Sequence, residues 1–150
     1  MSGVRFVAQT DEIATGTSKK TLLQLVPAAN HRVLVKEWSI SFTGITNTDA
    51  PIQVEIARQS DAGTASALTL VKQNADDGET LESSAQHTAT AEPTETNVIM
   101  RENVHPQGGY TWQAPFGQEL VLTGDATDRL AIVVTAAVGV NAVARFVAEE

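Results

Sequence analysis

The clearest pattern in the chain is His31 to Phe42, HRVLVKEWSISF, twelve residues without glycine or proline. In its second half Trp38, Ile40 and Phe42 alternate with Glu37, Ser39 and Ser41. Successive side chains of a strand point to opposite faces, so this spacing predicts a half-buried β-strand. Trp38 is one of two tryptophans and is expected to anchor the core. Burying a large aromatic contributes about 2–3 kcal/mol by area.

The same reading finds further strands on both sides. Thr21–Val26 is short and apolar and is stopped by Pro27. After the loop at 44–51, GITNTDAP, Ile52, Val54 and Ile56 alternate with Gln53 and Glu55. Asp61–Ala65 reads as a turn, Leu68, Leu70 and Val71 as a strand, and Gln73–Glu79, with Asp77-Gly78, as a second turn. Thr80–Ala91 is a strand with a weakly apolar face, interrupted by Pro93, and Asn97–Val104 is another. Pro106–Gly109 turns the chain into Tyr110 and Trp112, two residues apart on one face. Pro115–Gly117 turns again before Glu119–Leu122, which closes at Gly124-Asp125. Leu130–Thr135 and Val140–Glu149 form the last pair. In the final strand Val140, Ala142, Ala144, Phe146 and Ala148 share one face, and Asn141, Val143, Arg145, Val147 and Glu149 the other.

Nine or ten short strands with frequent turns, and no dozen residues with a helical period, predict an all-β fold. Two antiparallel sheets must bury their apolar faces against each other, so the expected domain is a β-sandwich or jelly-roll over 21–150. Residues 1–20 are less core-like. Val4, Phe6 and Ile13 are their main large apolar residues, and ATGTSKK has loop composition. This part is read as an extended N-terminal arm with one short strand at Val4–Ala8. Its apolar residues Val4, Phe6 and Ile13 are candidates for contact with a partner or a neighbouring subunit.

Composition narrows the chemistry. The 150 residues, 42% of them hydrophobic, suffice for one core without cofactors. There is no cysteine, which removes disulfides, thiolate metal sites and cysteine nucleophiles. The net charge is −8 and the ten basic residues are scattered. Such a chain is repelled by nucleic acid and by anionic membrane surfaces, so neither is an expected partner. No apolar run approaches twenty residues and no signal-peptide pattern opens the chain, which predicts a soluble product of the cytosol.

Candidate sites are few. The histidines, His31, His87 and His105, lack the short spacings of a metal site. The segment His105-Pro-Gln-Gly-Gly-Tyr is similar to a metal-binding strand of cupins, but the partner His and Glu are missing. Asp76, Asp77 and Glu79 lack the alternating oxygen ligands of a calcium loop. No G-x-S-x-G and no glycine-rich phosphate loop is present. The chain is therefore read as no enzyme, with no catalytic, cofactor-binding or metal residues and no small-molecule substrate. Tyr110 and Trp112, near Phe116, remain as an aromatic contact surface for a partner, a neighbouring subunit or a sugar. The Thr-, Ser- and Ala-rich stretch Thr80–Thr96 suits flat packing against another subunit.

Several runs resemble small virion proteins of tailed bacteriophages. They are TLLQLVPAANHRVLVKEWSISF, PIQVEIARQSDAGTASALTLVK, AQHTATAEPT, VHPQGGY, and GQELVL leading to VNAVARFVAEE. Together they cover about Thr21 to Glu150. The family resembled is that of capsid decoration, or cement, proteins. The resemblance implies a non-enzymatic β-sandwich on the outside of the head, often a homotrimer at local threefold points, bound to the major capsid protein and stabilising the expanded shell. It carries no site residues over. A head-fibre or tail-associated module that recognises a host glycan is the alternative, supported by Tyr110 and Trp112.

Overall fold

The computed structural model describes residues 3–44 and 50–150; part of the loop read at 44–51 lies outside the described residues. Within them the chain forms β1 (Arg5–Gln9), β2 (Ile13–Ala14), β3 (Lys20–Val26), β4 (Val33–Thr43), β5 (Ile52–Gln59), β6 (Thr64–Leu68), β7 (Val71–Lys72), β8 (Ser84–Ala91), β9 (Glu95–Val104), β10 (Tyr110–Gln113), β11 (Leu120–Leu122), β12 (Arg129–Thr135) and β13 (Asn141–Glu149). All pairings are antiparallel. One sheet runs β10-β4-β13-β1-β7, with β11 also on β4 and β2 on β13; the other runs β6-β8-β3-β12-β5-β9. The two sheets pack their apolar faces into one core, a β-sandwich.

The first sheet explains why its last strand is rich in alanine. Phe146 of β13 lies between Trp38 of β4 and Ala8 of β1, and Ala148 lies opposite Phe6. Ala144 faces Ile40, and Ala142 faces Phe42. Large side chains are thus set beside small ones across each row, which fills the core without overlap. Trp38, Phe6 and Phe146 are all fully buried.

The second sheet is built around a long folded ribbon. β5 pairs with β9 and β6 pairs with β8, so 52–68 and 84–104 run as one antiparallel pair that bends in the middle. Beyond the bend its neighbour changes: β5 lies on β12, whereas β8 lies on β3. The bend uses backbone freedom. Thr88 and Gly63 have positive φ, and a Cβ at Gly63 would sit 2.2 Å from the Ala91 carbonyl oxygen.

Where the ribbon crosses, it covers polar residues of β3. The Gln24 amide, only 1% exposed, donates to Gln59 Oε1 at 2.7 Å and to the Asp61 carbonyl at 2.9 Å. Gln59 Nε2 donates to Thr21 Oγ1, which donates to Glu92 at 2.6 Å. Arg129 closes the other end by donating to Gln24 Oε1 at 3.1 Å. Burying these amides is tolerable because each finds a partner.

The N-terminal residues do not form an arm. β1 is an interior strand, paired with β13 over Arg5–Gln9 and with β7 on its other side. Val4, Phe6, Ala8 and Ile13 are core residues. Their alternation with Arg5, Val7 and Gln9 is that of a half-buried strand, and its apolar face fills the space beside Phe146. The division at residue 20 therefore does not separate an arm from a domain.

Phe6→Ala is expected to lower the unfolding free energy by about 3–5 kcal/mol, because it empties a packed site. Urea denaturation measures this; a loss below about 0.5 kcal/mol, the range of ordinary surface changes, would return Phe6 to a loose arm.

Candidate contact surface

The six candidate residues part company in the structure. Val4, Phe6 and Ile13 are buried in the core and present nothing to a partner. Tyr110 and Trp112 are partly buried and pack their rings against the core. Tyr110 lies 5.2 Å from the Trp38 ring, centroid to centroid, and its hydroxyl reaches towards Glu102 of the other sheet at 3.4 Å. Burial, then the Glu102 charge, raises the Tyr110 phenol above its ordinary value. Neither ring forms an open platform. Phe116 is fully exposed, at 102% of its reference area.

Phe116 is held out by its backbone. Gln113 of β10 is opposite Glu37, and Leu120 of β11 is opposite Val35, so both feet of the excursion between them stand on β4. Ala114 N–H donates to the Lys36 carbonyl at 2.8 Å, and Gln118 N–H donates to the Pro115 carbonyl at 2.9 Å. Gly117 has φ +80°. A Gly with positive φ at the third position of a hydrogen-bonded turn is the type II pattern, and it places Phe116 at the tip. Any polar residue would satisfy that position at lower cost in exposed apolar area.

The outward face of the same sheet carries the second set of apolar residues. Gln113, Glu37, Val147, Val7 and Val71 lie in one cross-strand row, and Thr111, Ser39, Arg145 and Gln9 in the next. Val71 is 62% exposed. Arg145 bonds Glu37 at 2.6 Å, while its Nε–H is buried without an acceptor. Two concavities flank Gln9. One, about 280 Å³, is lined by polar groups including Ser39, Ser41, Thr111 and Arg145. The other, about 340 Å³, lies at the β1–β7 edge against Val7, Thr10, Asp11, Thr69 and Val71. Sequence reasoning passed over this edge by reading Leu68, Leu70 and Val71 as one strand. The signal available was the pair of valines, Val143 and Val147, on the outward face of the last strand.

Several other titratable groups are held locally. His31 pairs with Glu82 at 3.0 Å, and His87 bonds the Thr88 hydroxyl. The Asp77 and Glu79 carbonyls hold the Lys72 ammonium. Among the described residues no group of three His, Asp or Glu side chains is placed to hold a metal ion. Among the same residues no helix is long and apolar enough to cross a membrane. No family model, curated protein or solved structure matches the chain.

Below the valine row, Glu149 ties three strands together. It accepts from Lys36 at 2.7 Å and from the Gly3 N–H at 2.9 Å, and Arg5 lies 3.4 Å away. The Lys36 hydrogen bond holds its carboxyl below the usual carboxylate range, against the opposing effect of burial; Gly3 and the Lys36 and Arg5 charges add to the lowering. A carboxyl with a depressed folded-state pKa stabilises the fold above its unfolded pKa, and that contribution is lost as pH falls through the folded value. Glu149→Gln is therefore expected to cost about 1.5 kcal/mol near neutral pH and to converge on the wild type in acid. Denaturation across pH 2–7 (roughly the span over which carboxylates titrate) checks this; a gap that stays constant into acid would contradict it.

Proposed function

We propose that this chain is a virion structural protein of a tailed bacteriophage, a decoration protein. It binds the outside of the major capsid protein shell and stabilises the expanded head. The family resemblance of Thr21–Glu150 suggests the role. The observation that carries it is Phe116, a large apolar side chain held in solvent on a hydrogen-bonded turn at the edge of the sandwich. An exposed apolar contact point suits adhesion to a partner surface. The bent ribbon of β5–β6 and β8–β9 supports the finer reading of the sandwich as a jelly-roll.

The physical chemistry fits that role. A protein that binds the expanded shell and not its precursor stabilises the expanded form by mass action. Many copies, each with a modest interface, add through avidity, most effectively as trimers. A charge of −8 keeps the protein off packaged DNA and suits the capsid exterior. The glycan-binding alternative loses its support, because Tyr110 and Trp112 turn their rings to the core.

Co-sedimentation with purified tailed-phage heads tests the reading, using heads of the phage that encodes the chain. Binding to expanded heads at a fixed copy number, little binding to unexpanded heads, and a higher temperature for DNA release are expected. Absence of the protein from the pellet with expanded heads would contradict it.

A further inference from the structure

Between β7 and β8 the residues 73–83 form no strand, and Asp77-Gly78 lies in their middle. Asp77 is the one aspartate of the chain followed by glycine, and no asparagine is. The Lys72 ammonium donates to the Asp77 carbonyl at 3.0 Å and also to the Glu79 carbonyl. The Glu79 N–H donates to Asp77 Oδ1 at 3.1 Å. The Gly78 N–H has no acceptor among the described residues. We propose that this peptide is a site of spontaneous modification: Asp77 rearranges to an isoaspartyl link, with Lys72 as the assisting group.

The reaction needs only the chain and water. The Gly78 nitrogen attacks Asp77 Cγ. The N–Cγ bond forms, the bond from Cγ to the hydroxyl of the protonated carboxyl breaks, and the amide proton leaves with that hydroxyl as water. The product is a cyclic imide. Water then adds to one of its carbonyls. Cleavage at Cγ restores aspartate. Cleavage between the main-chain carbonyl and the nitrogen routes the chain through Cβ and Cγ and leaves the old carbonyl as a free carboxylate. The water released is matched by the water consumed, so the mass is unchanged and nothing is oxidised.

Each neighbouring group acts on one part of this path. Glycine has no Cβ to hinder ring closure, and Gly78 is exposed, with open space where a Cβ would stand. Loss of the Gly78 amide proton puts negative charge on the Asp77 carbonyl oxygen, the atom that accepts from Lys72. A hydrogen bond from an ammonium strengthens as that charge develops. The Glu79 N–H donates to the carboxyl oxygen that gains charge as the nitrogen adds. In the second step Lys72 polarises the main-chain carbonyl, which draws water there and favours isoaspartate. The carboxylate so formed stays beside the ammonium as an ion pair. Asp61 and Asp125 make the same carboxyl-to-turn bond, but each is followed by alanine and neither carbonyl is bound by an ammonium. They are internal controls.

The test is to hold the purified protein at neutral pH and physiological temperature and sample it over weeks. Isoaspartate is read by methyl transfer from S-adenosylmethionine with an isoaspartyl methyltransferase, and located by fragmentation of the peptide that contains it. Accumulation at Asp77 ahead of Asp61 and Asp125, with no change in mass, is expected. Gly78→Ala meets open space and no positive φ, so it keeps the fold, and it is expected to bring Asp77 down to the level of the two controls. Lys72→Met is expected to lower the isoaspartate share at Asp77, and Lys72→Arg to restore it. Isoaspartate no more frequent at Asp77 than at the controls, or unchanged by Gly78→Ala, overturns the site. A share unchanged by Lys72→Met overturns the part given to Lys72. No heads are involved, so the outcome is separate from that of the decoration reading.

Discussion

The structure depends on small residues placed beside large ones across β13. Phe146 can reach Trp38 because Ala144 and Ala148 flank it, and Phe6 can close the core because Ala148 stands opposite. This one strand pairs with β4, β1 and β2, so it joins the chain's beginning to its middle and its end. A larger residue at Ala148 would push Phe6 out and loosen β1, and with it the β7 edge. The β7 edge therefore holds its place only because the core behind it is filled.

A second constraint acts on the other sheet. Folding the ribbon of β5–β6 and β8–β9 across the sheet buries Gln24, Gln59 and Thr21. The cost of burying them is met by the hydrogen-bonded chain from Arg129 to Glu92. Such a network is satisfied in one arrangement, so it fixes how the ribbon lies as well as holding it there. With Glu149 and Lys36 locking the first sheet, the sandwich gains a rigid frame. Rigidity matters for adhesion because a contact residue held in place loses little entropy on binding.

Much of this was legible in the chain. Alternation located β4, β5 and β13 within a few residues, because each sets an apolar face against the core, and β3 and β12 stood out as short apolar runs, buried on both faces. The N-terminal strand was placed at Val4–Ala8, close to β1, yet read as an arm. Its partner β13 lies nearly the whole chain away, and a five-residue strand carries no local sign of such pairing. β6, TASAL, was taken partly for a turn because neither of its faces is apolar; its place comes from the ribbon. Of the contact residues, only Phe116 was both named from sequence and exposed. Tyr110 and Trp112 share a strand face with the core, as their two-residue spacing allowed. The concavity at the β1–β7 edge was not legible, since Val7 and Val71 meet only through the pairing of β1 with β7.

The role proposed for the protein draws on these features. Its polar groups are spent on holding two sheets and a ribbon in place, and its exposed apolar groups are few and fixed. The central claim, that it decorates a phage head, is tested most directly by a cryo-electron microscopy reconstruction of heads incubated with the purified protein. The account predicts added density on the outer surface at local threefold positions, into which three copies of the sandwich fit. Shells identical with and without the protein, or density confined to the tail, would contradict it.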